Sequence, residues 1–260
     1  MTVVAEPDHF ASELRRWRGV RRWSQLDLAI KADTTQRHLS FLEQGRSRPG
    51  RSMVVRLAET LELSLRERNE LLLSAGFAPI YSESRLDDPE LGPVREALER
   101  ILEGHQPYPA VVVRPHGELV AANSALGVLT EGAAPGLLEP PVNVLRLALH
   151  PDGMARRVVN LAEWGRHITG SLRNQAWQSP DPGLEEFIAE LEGYLPDLEA
   201  PAEHLGFAVP LRLRVPEGEL RLITTLTSFA TAVDVTLAEL RLEAFLPADE
   251  ETATILRRRA

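Results

Sequence analysis

The chain has 260 residues, 43% of them hydrophobic and 26% charged, which allows one large domain or two medium ones, each with its own core. It has no cysteine, which excludes disulfides and thiolate metal sites and suits a reducing compartment. The formal charge of −9 is uneven: residues 1–80 hold 13 Arg/Lys against 10 Asp/Glu and residues 81–260 hold 16 against 28, so charge points to nucleic acid for the first part only.

The opening residues, MTVVAEPDHF, carry acids early and lack the apolar core of a secretory signal. No run approaches the ~18 apolar residues of a membrane span. The expected location is cytoplasmic, with no membrane partner. Phe10, Leu14 and Trp17 recur at i, i+4 and i+7, which predicts a first helix with one apolar face. Arg15, Arg16, Arg18, Arg21 and Arg22 crowd its later turns, where cations suit a helix C-terminus. Ser24 with Asp27 three residues on reads as an N-cap with a box-like acid. The second helix runs through Leu26, Ala29 and Ile30 until KADTT breaks it. Thr35 can then cap a third helix through its hydroxyl.

On that third helix, at 100° per residue, Leu39 and Leu42 share one side and face a core. Gln36, Arg37, Ser40 and Gln44 cluster on the opposite side, with Phe41 at its edge. Gln can bond adenine through two atoms and Arg can bond guanine in the same way, so this face fits major-groove reading. Gln25 opens the second helix, where its amide and nearby backbone N–H groups can meet a phosphate. Arg46 and Arg48, on the loop GRSRPGR, offer further phosphate contacts. A fourth helix follows from Val54, Leu57, Ala58 and Leu61, and SLRE, Ser64 to Glu67, is a capping box opening a fifth. Gly76 stops it, with Pro79 just beyond.

Five short helices with a tight turn between the second and third are a helix-turn-helix organisation. The stretches SQLDLA, TTQRHLSFLEQGRSRP and RLAETLELSLRERNELLLSAGFAP resemble the repressor-type XRE family. The resemblance implies a phosphate contact for Gln25 and base reading by Thr35, Gln36, Arg37, Ser40 and Phe41. Asp33 stands where that family commonly has Gly in the inter-helix turn, a position Asp tolerates better than most residues. The domain expectations are 1–78 for the DNA-binding head, 79–93 for a linker rich in Pro, Ser, Gly and acids, and 94–260 for a second domain.

VREALERIL predicts a helix at the start of that second domain. AVVV, the turn RPHGE and LVAA then predict a hairpin that ends at Asn123. The middle reads as helical: NVLRLALH, a long segment from Met154 to about Gln178, and GLEEFIAELEGYL. From Gly206 the period becomes two, with Phe207, Val209, Leu211, Leu213 and Val215 alternating up to PEGE. Leu220, Leu222, Thr224 and Leu226 continue the inward face of the next strand. Ala238, Leu240, Leu242 and Ala244 alternate with Glu239, Arg241 and Glu243 in a third. The fold class expected is α + (α+β): a five-helix head followed by a PAS-like α+β domain with about five antiparallel strands.

NLAEWGRHITGSLRNQA and SPDPGLEEFIAEL, after the SAGFAP exit, resemble the MmyB-like ligand-binding domain, a PAS-like module that follows an XRE-type head. The resemblance implies an apolar cavity and, as effector, a fatty acid or similar lipid. Arg173 is open to two readings, a partner for a ligand carboxylate or a structural ion pair. Trp164, Trp177 and Phe187 are candidates for the cavity wall, or for ordinary helix-on-sheet packing. The seven His residues show no metal-ligand spacing, and there is no Gly-rich phosphate loop and no G-x-S-x-G elbow, so neither an enzyme nor a metal site is expected. The partners expected are a double-stranded DNA operator, a small apolar effector and a second copy of the chain. An alternative makes the second domain a dimerisation or protein-partner module.

Overall fold

In the computed structural model, which describes residues 7–197, 209–229 and 232–260, each cap signal of the first eighty residues opens a helix. After α1 (Pro7–Val20), Ser24 and Asp27 form a reciprocal capping box at the start of α2 (Gln25–Lys31). Thr35 accepts from the His38 N–H at the start of α3 (Gln36–Glu43). α4 spans Arg51–Thr60, and a second capping box, Ser64 with Glu67, opens α5 (Leu65–Ser74). Leu14, Leu28, Leu39, Leu42, Leu57, Leu61, Leu71 and Leu72 close the core between them. One detail departs from the sequence reading. α2 buries Leu28 and Ala29 and leaves Leu26 and Ile30 in solvent, because a two-turn helix packed on α3 has one narrow inward stripe.

The chain divides into two units, Met1–Ser84 with Thr231–Ala238, and Arg85–Ala230 with Glu239–Ala260. The first unit therefore includes a segment from far along the chain. The Asn69 side chain holds the exit of α5 by accepting from the Ile80 and Tyr81 N–H groups and donating to the Tyr81 carbonyl. Residues 82–84 are then clasped by 234–235. The Val235 N–H donates to the Ser82 carbonyl at 2.8 Å, and the Ser84 N–H and hydroxyl donate to Asp234 at 3.0 and 2.8 Å.

The second unit begins with α6 (Gly92–Gly104) and the hairpin β1 (Ala110–Val113) and β2 (Leu119–Ala122), at the positions their β-branched runs predict. α7 (Gly127–Thr130), α8 (Val144–Leu149), α9 (Leu161–Gln178) and α10 (Pro182–Gly193) form the helical middle. β3 (Leu211–Val215), β4 (Gly218–Ser228) and β5 (Arg241–Pro247) complete an antiparallel sheet of order β2-β1-β5-β4-β3. α11 (Val235–Glu239) lies between β4 and β5, and α12 (Glu250–Arg259) follows β5. The expected PAS-like α+β class with five antiparallel strands holds. Ala238 and Glu239 nevertheless belong to α11 rather than to a strand, because Asp234 accepts from the Leu237 N–H and caps that turn. Gly206 and Phe207 lie outside the described residues, and β3 begins at Leu211. Among the described residues no helix is long and apolar enough to cross a membrane.

Candidate nucleic-acid interface and ligand cavity

The turn before α3 determines how that helix is presented. Asp33 takes a left-handed backbone, with φ of 48°, and the Thr34 N–H returns to the Ala29 carbonyl. At the other end Gly45, with φ of 69°, stops the helix, and the Arg46 N–H reaches back to the Phe41 carbonyl. Leu39 and Leu42 are fully buried, while Thr35, Gln36 and Arg37 are exposed and Ser40 and Phe41 are half-buried. The Arg37 guanidinium lies 5.4 Å from the centre of the Phe41 ring, and the Gln44 amide donates to the Ser40 hydroxyl at 2.9 Å. Arg46 and Arg48 are exposed on the following loop. Guanidinium, amide and hydroxyl groups thus share one accessible helix face, with cations beside it.

A buried charge fixes that helix to its neighbours. Glu43, at the end of α3, is 2% exposed and takes two hydrogen bonds from Arg18 of α1, at 2.6 and 2.9 Å. Gln25 of α2 donates its amide to the same carboxylate at 2.8 Å. Burial pushes the Glu43 carboxyl upward, but the bonds from Arg18 and Gln25 and the charges of Arg18 and Arg15 outweigh it and hold it below its ordinary range. The half-buried Gln25 amide is therefore tied inward, and one of its N–H bonds remains for an outside acceptor.

The second unit holds an open-sided cavity of about 400 Å³, within the range of small-molecule sites. One wall is α9, which presents Trp164, His167, Ile168, Ser171, Leu172 and Gln175 along a single face. The facing wall is the sheet, through Val111 and Val113 of β1, Thr224 and Leu226 of β4, and Arg241, Glu243 and Phe245 of β5. Val144, Leu145, Leu147 and Ala148 of α8 and the turn Arg114–Gly117 close one end. Gly117 has φ of 82°, and a Cβ there would stand 2.7 Å from Leu145 Cγ, so only glycine fits this corner.

Of the four residues the sequence proposed for this cavity, Trp164 lines it and is buried. Arg173, Trp177 and Phe187 are not among its lining residues. On an ideal helix Arg173 falls about 180° from Trp164, and Trp177 about 140° from it. Arg173 pairs with Glu192 of α10 at 2.6 Å, which is the structural ion pair among its two readings. Trp177 is 70% exposed, and Phe187 is buried in the core beneath the Arg146 guanidinium. Among the lining residues that sequence reading missed are Arg241 and Glu243, which alternate with Leu240, Leu242 and Ala244. The available signal was Phe245, a large apolar residue with the same parity as both charges.

Residues 94–258 match the family described as MmyB-like transcription regulator ligand binding domain. Residues 9–71 match a helix-turn-helix domain family. No curated protein matches the chain. Among solved structures, an RNA-binding light-oxygen-voltage receptor is similar at 15% identity, over 96% of this chain and 62% of that one. Its TM-score of 0.26 is too low to establish a shared fold.

Proposed function

This chain belongs to the family of MmyB-like transcription regulators, a helix-turn-helix head joined to a ligand-binding domain, and from that premise we propose that it reads a specific DNA operator with α3 and responds to a small apolar effector held between α9 and the sheet. One arrangement carries the reading: α3 buries Leu39 and Leu42 completely while Gln36 and Arg37 stand in solvent. Gln36, Arg37, Ser40 and Phe41 read base edges, with Thr35 at the helix mouth, and Gln25, Arg46 and Arg48 hold phosphates. One such head covers few base pairs, so the regulator acts as a homodimer with half-sites about one helical turn apart.

The cavity's apolar lining and size support an acyl chain, as in a fatty acid or similar lipid, as the effector. An effector regulates only by favouring one of two arrangements. The chain supplies a direct route. β4 and β5 wall the cavity, and residues 232–238, which join them, belong to the DNA-binding unit, where Asp234 and Val235 clasp the exit from α5. Short stretches of chain join the ends of β4 and β5 to that clasp, and we take them as the coupling route.

Selection of bound DNA from a random pool, with and without a lipid extract, tests both halves. A single enriched motif whose yield changes with the extract is the expected result. No enrichment removes the reading of α3. A second measurement, native mass spectrometry of the purified protein, is expected to show a co-purified lipid mass. An empty dimer that stays insensitive to every lipid would instead make the second domain a dimerisation module.

A further inference from the structure

β5 runs along the cavity with Arg241, Glu243 and Phe245 on the same face. Alternate residues of a strand stand about 6.6 Å apart, so the two charged groups occupy adjacent places on one wall. Val111 of β1 and Leu226 of β4 flank Glu243 in register, leaving it an apolar frame. Among the described residues, neither Arg241 nor Glu243 has a side-chain hydrogen bond or an ion pair. Of the other titratable groups at the cavity, His167 stands exposed on α9 and the remaining two have partners. Arg114 pairs with Glu118, and His116 lies 3.5 Å from Asp181.

Burial raises the Glu243 carboxyl above its ordinary range, and the charge of Arg241 opposes that rise. Arg241 is exposed and Glu243 half-buried, so both reach the open space of the cavity, and a half-buried carboxyl without a hydrogen-bond donor gains from acquiring one. Its position on a ligand-sized cavity makes the ligand the natural source of that partner. A simple fatty acid satisfies Arg241 but sets its own carboxylate beside Glu243. A cationic amphiphile satisfies Glu243 but is repelled by Arg241. A head that carries both an acid and a donor satisfies both groups at once.

We propose that the cavity takes an amphiphile whose polar head bears an acidic group and, a few bonds away, a hydrogen-bond donor, with Arg241 holding the acid and Glu243 accepting from the donor. This inference rests on the apolar-effector reading above and narrows its chemical class. An acyl chain joined through an amide N–H to a carboxylate has that spacing.

Calorimetric titration of the lipid-stripped full chain, below micelle-forming concentrations, separates the two levels. The probes are dodecanoic acid, N-dodecanoylglycine and N-dodecanoylsarcosine; the last replaces the amide N–H of the second with N–CH3. The glycine conjugate is expected to bind about tenfold tighter than the sarcosine conjugate, the scale of one charge-assisted hydrogen bond. Glu243→Leu should erase that ratio while raising affinity for dodecanoic acid, whose carboxylate no longer meets a like charge. Glu243→Gln, which retains a carbonyl acceptor, should restore part of the ratio, and Arg241→Ala should weaken all three acids alike. If dodecanoic acid binds but the two conjugates bind equally, or if their ratio survives Glu243→Leu, this inference falls and the effector reading stands. If none of the three binds, both fall.

Discussion

Arg37 and Arg48 are both exposed cations within twelve residues of each other, and the proposed reading gives them different work. Arg37 stands on the open face of α3, near Phe41, where a guanidinium can pair with guanine in two places. Arg48 sits on the loop after α3, where the same reading has it meet phosphate. Arg37→Ala is therefore expected to cost about 1–3 kcal/mol at the preferred operator and to relax preference at one base pair. Arg48→Ala should weaken all sequences alike and reduce the salt slope by about one. Titrations against the operator and a scrambled duplex at two salt concentrations separate the two outcomes; unchanged selectivity in Arg37→Ala removes α3 from the groove. Beneath this surface the Arg18–Glu43 pair holds α3 in place. Arg18→Met strands a carboxylate that is 2% exposed, at an expected cost of about 3–5 kcal/mol in denaturant unfolding of the head. Adding Glu43→Leu should recover most of that loss, because two apolar groups need no partner. The motif marks Gln25 as a candidate contact residue but cannot show its bond to Glu43, since the two are 18 positions apart.

Elements whose signals are local were readable, and those set by tertiary environment were not. Ser24, Thr35 and Ser64 mark helix starts through bonds spanning three residues, so the caps of the head could be read directly. β5 is different. Alternation says which residues share a face, but not whether the second face meets water or a cavity, and so it could not place Arg241 and Glu243 at one. On α9 the spacing did contain the answer, since Trp164 and Arg173 fall on opposite sides. Arg173 instead ties α9 to α10. α10 is tied to α8 in turn, through Arg146 and Glu190 at 2.6 and 2.8 Å. The Arg146 bonds, opposed by burial and aided by the Tyr194 hydroxyl, lower the Glu190 carboxyl from its ordinary 4.5 to about 2. A carboxyl depressed on folding contributes stability that is fully present above its unfolded value and lost as the pH falls through its folded value. Glu190→Gln should therefore lower the melting temperature at pH 7. Because the pair is partly in solvent, the loss is about 1 kcal/mol at most, or roughly 2–4 °C. The gap from wild type should close between pH 4.5 and 2, and a gap that persists at pH 2 would show that the ion pair is not its source.

Each unit by itself accounts for one binding event, and regulation requires that one event alter the other. A coupling free energy needs an element that both sites bias. No local signal marks one, because the alternation from Ala238 onward reads as a strand and residues 232–237 carry no motif. In the structure they leave the sheet, and Asp234 receives both the Ser84 N–H and its hydroxyl while being almost fully buried. Asp234→Ala removes those two bonds and the cap on Leu237 without touching α3 or the cavity wall. It is expected to leave operator affinity in the absence of effector within about twofold of wild type, because the Asn69 bonds still hold the exit from α5. Effector affinity without DNA should be similarly preserved. What should change is the ratio between DNA affinities with and without effector, which for a coupled protein lies at about 5–150 and should fall toward one. Linkage supplies an internal check, since the effect of DNA on effector affinity must shrink by the same factor. Measuring all four affinities in wild type and variant closes the cycle, and Asp234→Asn, which keeps an acceptor toward Ser84, should retain part of the coupling. A variant that binds both ligands normally and keeps the full ratio would place the route elsewhere than the β4–β5 connection.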